Sequence, residues 1–245
     1  MDNSVVTNNK DSGRLFIMQE FQEKLQAAFD IEKGQVIKDC EIDGSGESVL
    51  AAVTHANQRL DATMVGVLEH SGAVLDCRDG CDYCCHFKVE VGAEEVFAMT
   101  HFVESTLTPE QKDAILKRAR ANNKLISTLS QSKRIQTNIP CPFLSDHSCS
   151  VYSVRPAMCR KLHSTDVKAC KQSFDHPADT TVSNAEHPVV SAISMTAIAA
   201  IREGIKESGF DDTIYDLNDV VVDAFENPKC EKRWGQGKKA FPGCG

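Results

Sequence analysis

Four cysteines stand together as Cys77-x3-Cys81-x2-Cys84-Cys85. Three more follow at Cys141, Cys149 and Cys159, in the tightly written stretches CPFL and CSVYSVRPAMCR. With Cys170, eight of the 11 cysteines fall between residues 77 and 170. Thiolates are soft, strong ligands for zinc and for iron–sulfur clusters, so Cys-ligated metal is the chemistry this spacing points to. Cys81-x2-Cys84 has the spacing of a metal knuckle, in which two thiolates reach one ion from a tight turn, and Gly80 permits the bend. Cys84 and Cys85 are adjacent and diverge in regular structure, so both can ligate only from an irregular loop or by facing two centres. Pro140 and Pro142 restrict the backbone on either side of Cys141. Pro156 suits the first turn of a short helix with Cys159 near its start. There the helix dipole, Arg155, Arg160 and Lys161 are expected to favour the thiolate. Arg155 is also the candidate for holding an anionic cofactor or substrate beside the metal.

Other readings of these residues are blander. A lone cysteine is usually an inert buried side chain, which is the expectation for Cys40, Cys230 and Cys244. Four thiols in nine residues would be an oxidation hazard if left unligated, which argues against inertness at 77–85. Cys170 is close enough in sequence to fold back as an extra ligand. His86, His147 and His163 neighbour cluster cysteines and could ligate or support a sulfur from outside. The opening MDNSVVTNNKDSG has no basic stretch leading into an apolar one, so the expected compartment is the reducing cytoplasm, where thiols bind metal rather than pair.

Three further function classes fare poorly. Asp39-x-Glu41-x-Asp43-Gly44 imitates a calcium loop, but Leu50 stands where the closing Glu is required. Gly44-x-Gly46 follows no strand and is no nucleotide fingerprint. The net charge of -8, without a long Lys/Arg block, makes nucleic acid a poor partner. No run approaches about 18 uninterrupted apolar residues, so no membrane span is expected.

The positioning elements read as helices. Ile17, Phe21, Leu25 and Phe29 recur at helical spacing and predict a helix over 14–29, after a disordered tail at 1–13. A polar loop is expected over 38–46. Val53, Leu60, Met64, Val67 and Leu68 predict a helix over 47–69, ended by Ser71-Gly72. A short strand is expected over 87–91 and a helix over 92–105. Thr108-Pro109-Glu110-Gln111 is a helix start with Thr as N-cap and Gln closing a capping box; that helix is expected to reach about residue 131. Residues 137–165 read as mostly irregular and 166–186 as a polar loop. Helices over 189–206 and 217–225 precede an irregular end, KKAFPGCG. The expectation is a mainly α chain: a tail, then one helical domain over 14–245, with at most a short β element. Its irregular centre, about 77–165, would be organised by metal.

The sequence resembles the YkgJ-like family, a CxxCxxCC-type zinc- or iron-chelating domain. The residues that carry the resemblance are Cys81-x2-Cys84-Cys85, VEVGAEEV at 89–96, CPFL at 141–144 and CSVYSVRPAMCR at 149–160. The last is the most specific, with Val151-Tyr152, Arg155-Pro156 and Cys159 in register. This chain departs from the pattern in two places. It has three residues between Cys77 and Cys81, and Tyr83 stands where a Gly is usual. The resemblance implies zinc or iron as cofactor. Through flagellin lysine methylases it extends to iron–sulfur methyl-transfer chemistry. Three readings follow: a metal protein with a zinc, iron or [4Fe-4S] centre, with or without oxidoreductase or transferase activity; a non-enzymatic zinc-stabilised scaffold or interaction module; or a metal carrier. The metal set is Cys77, Cys81, Cys84, Cys85, Cys141, Cys149 and Cys159.

Overall fold

A computed structural model describes residues 9–179, 181–182 and 185–244, with side chains from residue 17 onward. The helices described are α1 (Asn9–Cys40), α2 (Gly46–Ser71), α3 (Ala93–Thr106), α4 (Pro109–Ile126), α5 (Gln131–Ile135), α6 (Ala157–Lys161), α7 (Val167–Asp175), α8 (Pro188–Glu207), α9 (Leu217–Glu226) and α10 (Pro228–Trp234). Four two-residue strands are β1 (Glu90–Val91), β2 (Leu144–Ser145), β3 (Ser148–Cys149) and β4 (Tyr215–Asp216). The chain is mainly α, as its apolar spacing requires.

Helix α1 outruns its predicted span at both ends. Val36, seven residues or about two turns after Phe29, and Cys40, four further on, are fully buried, so the helix persists to Cys40 and the expected loop shrinks. Residues 9–13, expected in the tail, are helical; residues 1–8 lie outside the described residues. α1 packs on α8 and α2, and α2 packs on α8. Gly204 makes the α1–α8 contact possible: a Cβ there would sit 2.8 Å from Cγ1 of Val36. By length and composition α8 could cross a bilayer. In this fold its Val190, Ile198, Ile201 and Ile205 are buried inside the protein.

The second layer carries the main core. α9 packs on α3 and α4. Val96, Phe97, Val103, Val220 and Val221 meet Trp234 and Phe241 there. Phe97 lies 5.3 Å from Trp234 and 5.6 Å from Phe241, ring centre to ring centre. Side chains of this size contribute roughly 1.5–3 kcal/mol each on full burial. Among its described residues the tail has no regular structure, as expected, yet Ala240 and Phe241 are fully buried.

The strands form two antiparallel pairs. β1 pairs with β4, Val91 opposite Tyr215, and this joins the end of the first cysteine segment to the core. β2 pairs with β3, Leu144 opposite Cys149, as a hairpin. The strand predicted over 87–91 is thus only its last two residues. Against the expected polar loop at 166–186, α7 occupies 167–175.

Candidate metal centre

The first cysteine segment is a loop followed by one 3-10 turn, Tyr83–His86. Gly80 takes φ +82, a left-handed conformation that a side chain would strain, and the N–H of Cys81 closes a turn on the carbonyl of Arg78 at 3.1 Å. Cys77 is tied to the stretch after α6. Ser164 N–H donates to the Cys77 sulfur at 3.2 Å, and Asp76 N–H donates to the Ser164 carbonyl at 2.9 Å. The 3-10 turn brings the Cys84 and Cys85 thiols within hydrogen-bond reach of each other.

The second segment is held from α4. Asn122 donates to the carbonyl of Pro140 at 2.7 Å, and Arg118 donates to the carbonyl of Pro142. Cys141 is therefore clamped on both sides. Cys149 is set by the hairpin, whose turn residues Asp146 and His147 both have positive φ (48° and 61°). That is the handedness tight two-residue hairpins need. Cys159 is the third residue of α6. Its neighbour Arg160 pairs with Asp61, donates to the carbonyl of Arg155 at 2.9 Å and donates to that of Ser153 at 2.7 Å.

The two segments meet directly. Cys141 N–H donates to the Cys85 carbonyl at 2.7 Å, and Ile139 N–H to the His86 carbonyl at 3.1 Å. Cys159 lies within charge-interaction reach of Cys141, Cys84 and Cys149. Cys77 stands in the same relation to Cys84, Cys81 and Cys170. Cys84 is thus common to both sets: it neighbours Cys77 and Cys81 of the first segment and Cys149 and Cys159 of the second. Among the described residues, no group of three or more His, Cys, Asp or Glu side chains stands close enough together to hold a metal ion.

Their electrostatics overturn one expectation. Cys159 was expected to be a favoured thiolate. Instead burial, then the nearby Cys141, Cys84 and Cys149, push its thiol well above the ordinary range. The basic neighbours face elsewhere: Arg160 is spent on Asp61, and Lys161 holds Glu186 at 2.6 Å. A five-residue helix also has little dipole. Burial pushes Cys141 up to about 12 and raises Cys77, Cys81 and Cys149. Cys84 is raised by its bond to Cys85, then by burial. Without a cation these thiols stay protonated near neutral pH.

The remaining candidates sort clearly. His163 is buried with both ring nitrogens engaged: Nδ1 donates to the Lys161 carbonyl at 2.7 Å, and Nε2 accepts from His187 N–H at 2.9 Å. It is not free to ligate. His147 and His86 use Nδ1 on Asp82 and keep Nε2. Arg155 stacks 4.0 Å over the Tyr152 ring, donates to the Tyr152 carbonyl and lies 3.6 Å from Asp61. Its guanidinium is already engaged. Asp39 on α1 faces Arg59 on α2, and Asp43 caps Ser45 N–H at 2.8 Å, so the calcium-like stretch serves the α1–α2 turn. Cys40 and Cys230 are buried in the core.

With that geometry in place, comparison with known proteins gives one match. Residues 76–181 match the CxxCxxCC family. Its description is "putative zinc- or iron-chelating domain". No curated protein and no solved structure matches the chain significantly. The match spans both cysteine segments and α7, and so takes in Cys170. Reading from the sequence placed Cys170 in a loop. The signal for its helix was there in Asp166, which accepts from Lys168 N–H at 2.8 Å as N-cap, with Val167, Cys170 and Phe174 at helical spacing after it. Phe174 packs 4.9 Å from the His86 ring, which brings Cys170 to the first segment.

Proposed function

We propose that this chain binds zinc or iron through Cys77, Cys81, Cys84, Cys85, Cys141, Cys149 and Cys159, with Cys170 beside them. The observation that carries it is that Cys84 neighbours thiols of both segments, while burial and neighbouring thiols suppress the ionisation of Cys77, Cys81, Cys84, Cys141, Cys149 and Cys159. A divalent cation supplies the charge this arrangement lacks. Eight thiols exceed the four of one structural zinc, which leaves room for a second ion or for an iron–sulfur centre. In the iron–sulfur form the centre could serve an oxidoreductase or transferase.

A structural zinc is the second reading, favoured by how the thiols are seated. Cys141, Cys149 and Cys159 keep partial solvent contact but pack on the main core beside the fully buried Phe143 and Val151. Metal there would tie the loops to the core. Purification without oxygen, followed by metal and acid-labile sulfide analysis and an absorption spectrum, separates these. Brown protein with sulfide supports a cluster. Colourless protein with stoichiometric zinc supports the structural ion. Metal-free protein from a metal-replete culture contradicts both.

A further inference from the structure

We propose that Glu95 is a positioning residue for the metal centre, one that sets the orientation of α6 and so of Cys159. This rests on the metal-binding reading above. Glu95 is only 7% exposed, and its carboxylate joins two elements 62 residues apart. Oε2 accepts the N–H of Gly92, its own helix's N-cap, at 3.0 Å. Oε1 accepts the N–H of Ala157, the first residue of α6, at 2.7 Å.

The second bond is the unusual one. A capping Glu has a local task, and complementing the α3 dipole was all that its place in the sequence implied. Here one oxygen does that task and the other reaches a distant turn. α6 has five residues, too few to be stable alone, and Pro156 just before it has no N–H. The Ala157 N–H is one of the orphan donors at the start of that turn, and it is buried. Cys159 follows two residues later. Its direction is therefore set by a carboxylate anchored in α3, while Arg160 anchors the same turn to α2 through Asp61.

The backbone around Glu95 is shaped to the same end. Gly92 has no side chain where a Cβ would fall 2.0 Å from Oε1 of Glu94. Glu94 therefore folds back over the helix start, leaving Glu95 to face α6. Asp at 95 would be too short for both bonds. Gln keeps the shape but presents one acceptor oxygen and an NH2 where two N–H donors converge. Supporting partners of metal ligands of this kind are worth on the order of 10–100-fold in metal affinity.

The test uses the full chain, prepared without oxygen and stripped of metal. Its affinity for Co2+ is measured against a competing chelator, and the thiolate-to-cobalt absorption is recorded. E95Q approaches the bond from the acceptor side. A157P approaches it from the donor side, since Pro is tolerated at the first helical position but lacks the N–H. T108A is the control, because it removes the comparable cap from α4 and leaves the cysteine segments alone. The expected result is an affinity loss of roughly tenfold or more in E95Q and A157P, with weaker thiolate absorption per bound cobalt, and wild-type behaviour in T108A. If E95Q does not fold by circular dichroism, A157P decides. Wild-type affinity and spectrum in the folded variants would overturn the proposal, as would an equal loss in T108A. If the wild-type chain takes up no cobalt, zinc or iron, the metal-binding reading itself falls, an outcome distinct from failure of Glu95 alone.

Discussion

Protonated thiols make metal uptake a proton-release reaction. Cys77, Cys81, Cys84, Cys141, Cys149 and Cys159 all sit above the ordinary thiol range, burial being the leading cause in all but Cys84. Each thiol that ligates near pH 7 must lose a proton, so affinity falls as pH falls, by up to about one decade per pH unit per ligating thiol. Zinc titrations by calorimetry in buffers of different ionisation enthalpy count those protons; an uptake that releases none would contradict the thiols as ligands. Glu94 gives a second test at this scale. Burial, then the charge of Glu95, raises its carboxyl to about 8, and Oε2 has no hydrogen-bond partner. A raised acid opposes folding once ionised. The penalty is absent below the ordinary value of 4.5 and grows as pH rises towards about 8. E94Q should therefore flatten the fall in stability between those limits and gain on the order of a few kcal/mol at pH 9 relative to wild type. Urea unfolding against pH checks it, and parallel curves for the two proteins would refute it. Neither consequence could be read from the residues alone. Glu94 and Glu95 looked like ordinary first-turn acids, because burial by distant elements leaves no mark in local spacing.

At the scale of elements, the hairpin that carries Cys149 is held by two residues poorly suited to it. Asp146 and His147 both adopt positive φ, which Asn and Gly adopt more easily. D146N/H147G should raise stability by about 0.5–1 kcal/mol, read as a higher urea midpoint. A fall would mean that the His147–Asp82 contact at 2.9 Å matters more than the turn. This hairpin was not legible beforehand, since Asp-His is no turn signature. The start of α4 was fully legible: Thr108 accepts from Gln111 N–H at 3.3 Å, and Gln111 accepts from Thr108 N–H at 2.9 Å, a reciprocal pair written in four adjacent residues. What stayed hidden is the use made of α4. Arg118 and Asn122 lie on a plain amphipathic helix, and only the tertiary fold turns them onto the carbonyls flanking Cys141. That both cysteine segments supply one metal set was legible from spacing; the backbone bond that joins them, from Cys141 N–H to the Cys85 carbonyl, was not.

Across the whole molecule, the helices and the cysteine segments divide the sources of order. α1 buries only Val36 and Cys40 near its C-terminal end, leaving Ile17 and Phe21 exposed; α2 and α8 bury apolar stripes; and α3, α4 and α9 share the aromatic core. The segments 77–91 and 137–165 rest on scattered hydrogen bonds and a few core contacts. Chelation should therefore open those segments to protease while most far-ultraviolet helical signal persists. Equal resistance with and without metal would mean that the site is preformed. The most direct test of the central claim is metal bound per chain in two variants purified without oxygen. One replaces Cys84, to which both groups of thiols lie close, by Ser. The other replaces Cys40, Cys230 and Cys244 by Ala, at positions outside that gathering. The account predicts zinc or iron at wild-type stoichiometry in the triple variant and its loss in C84S. Full metal content in C84S, or metal lost only from the triple variant, would contradict it.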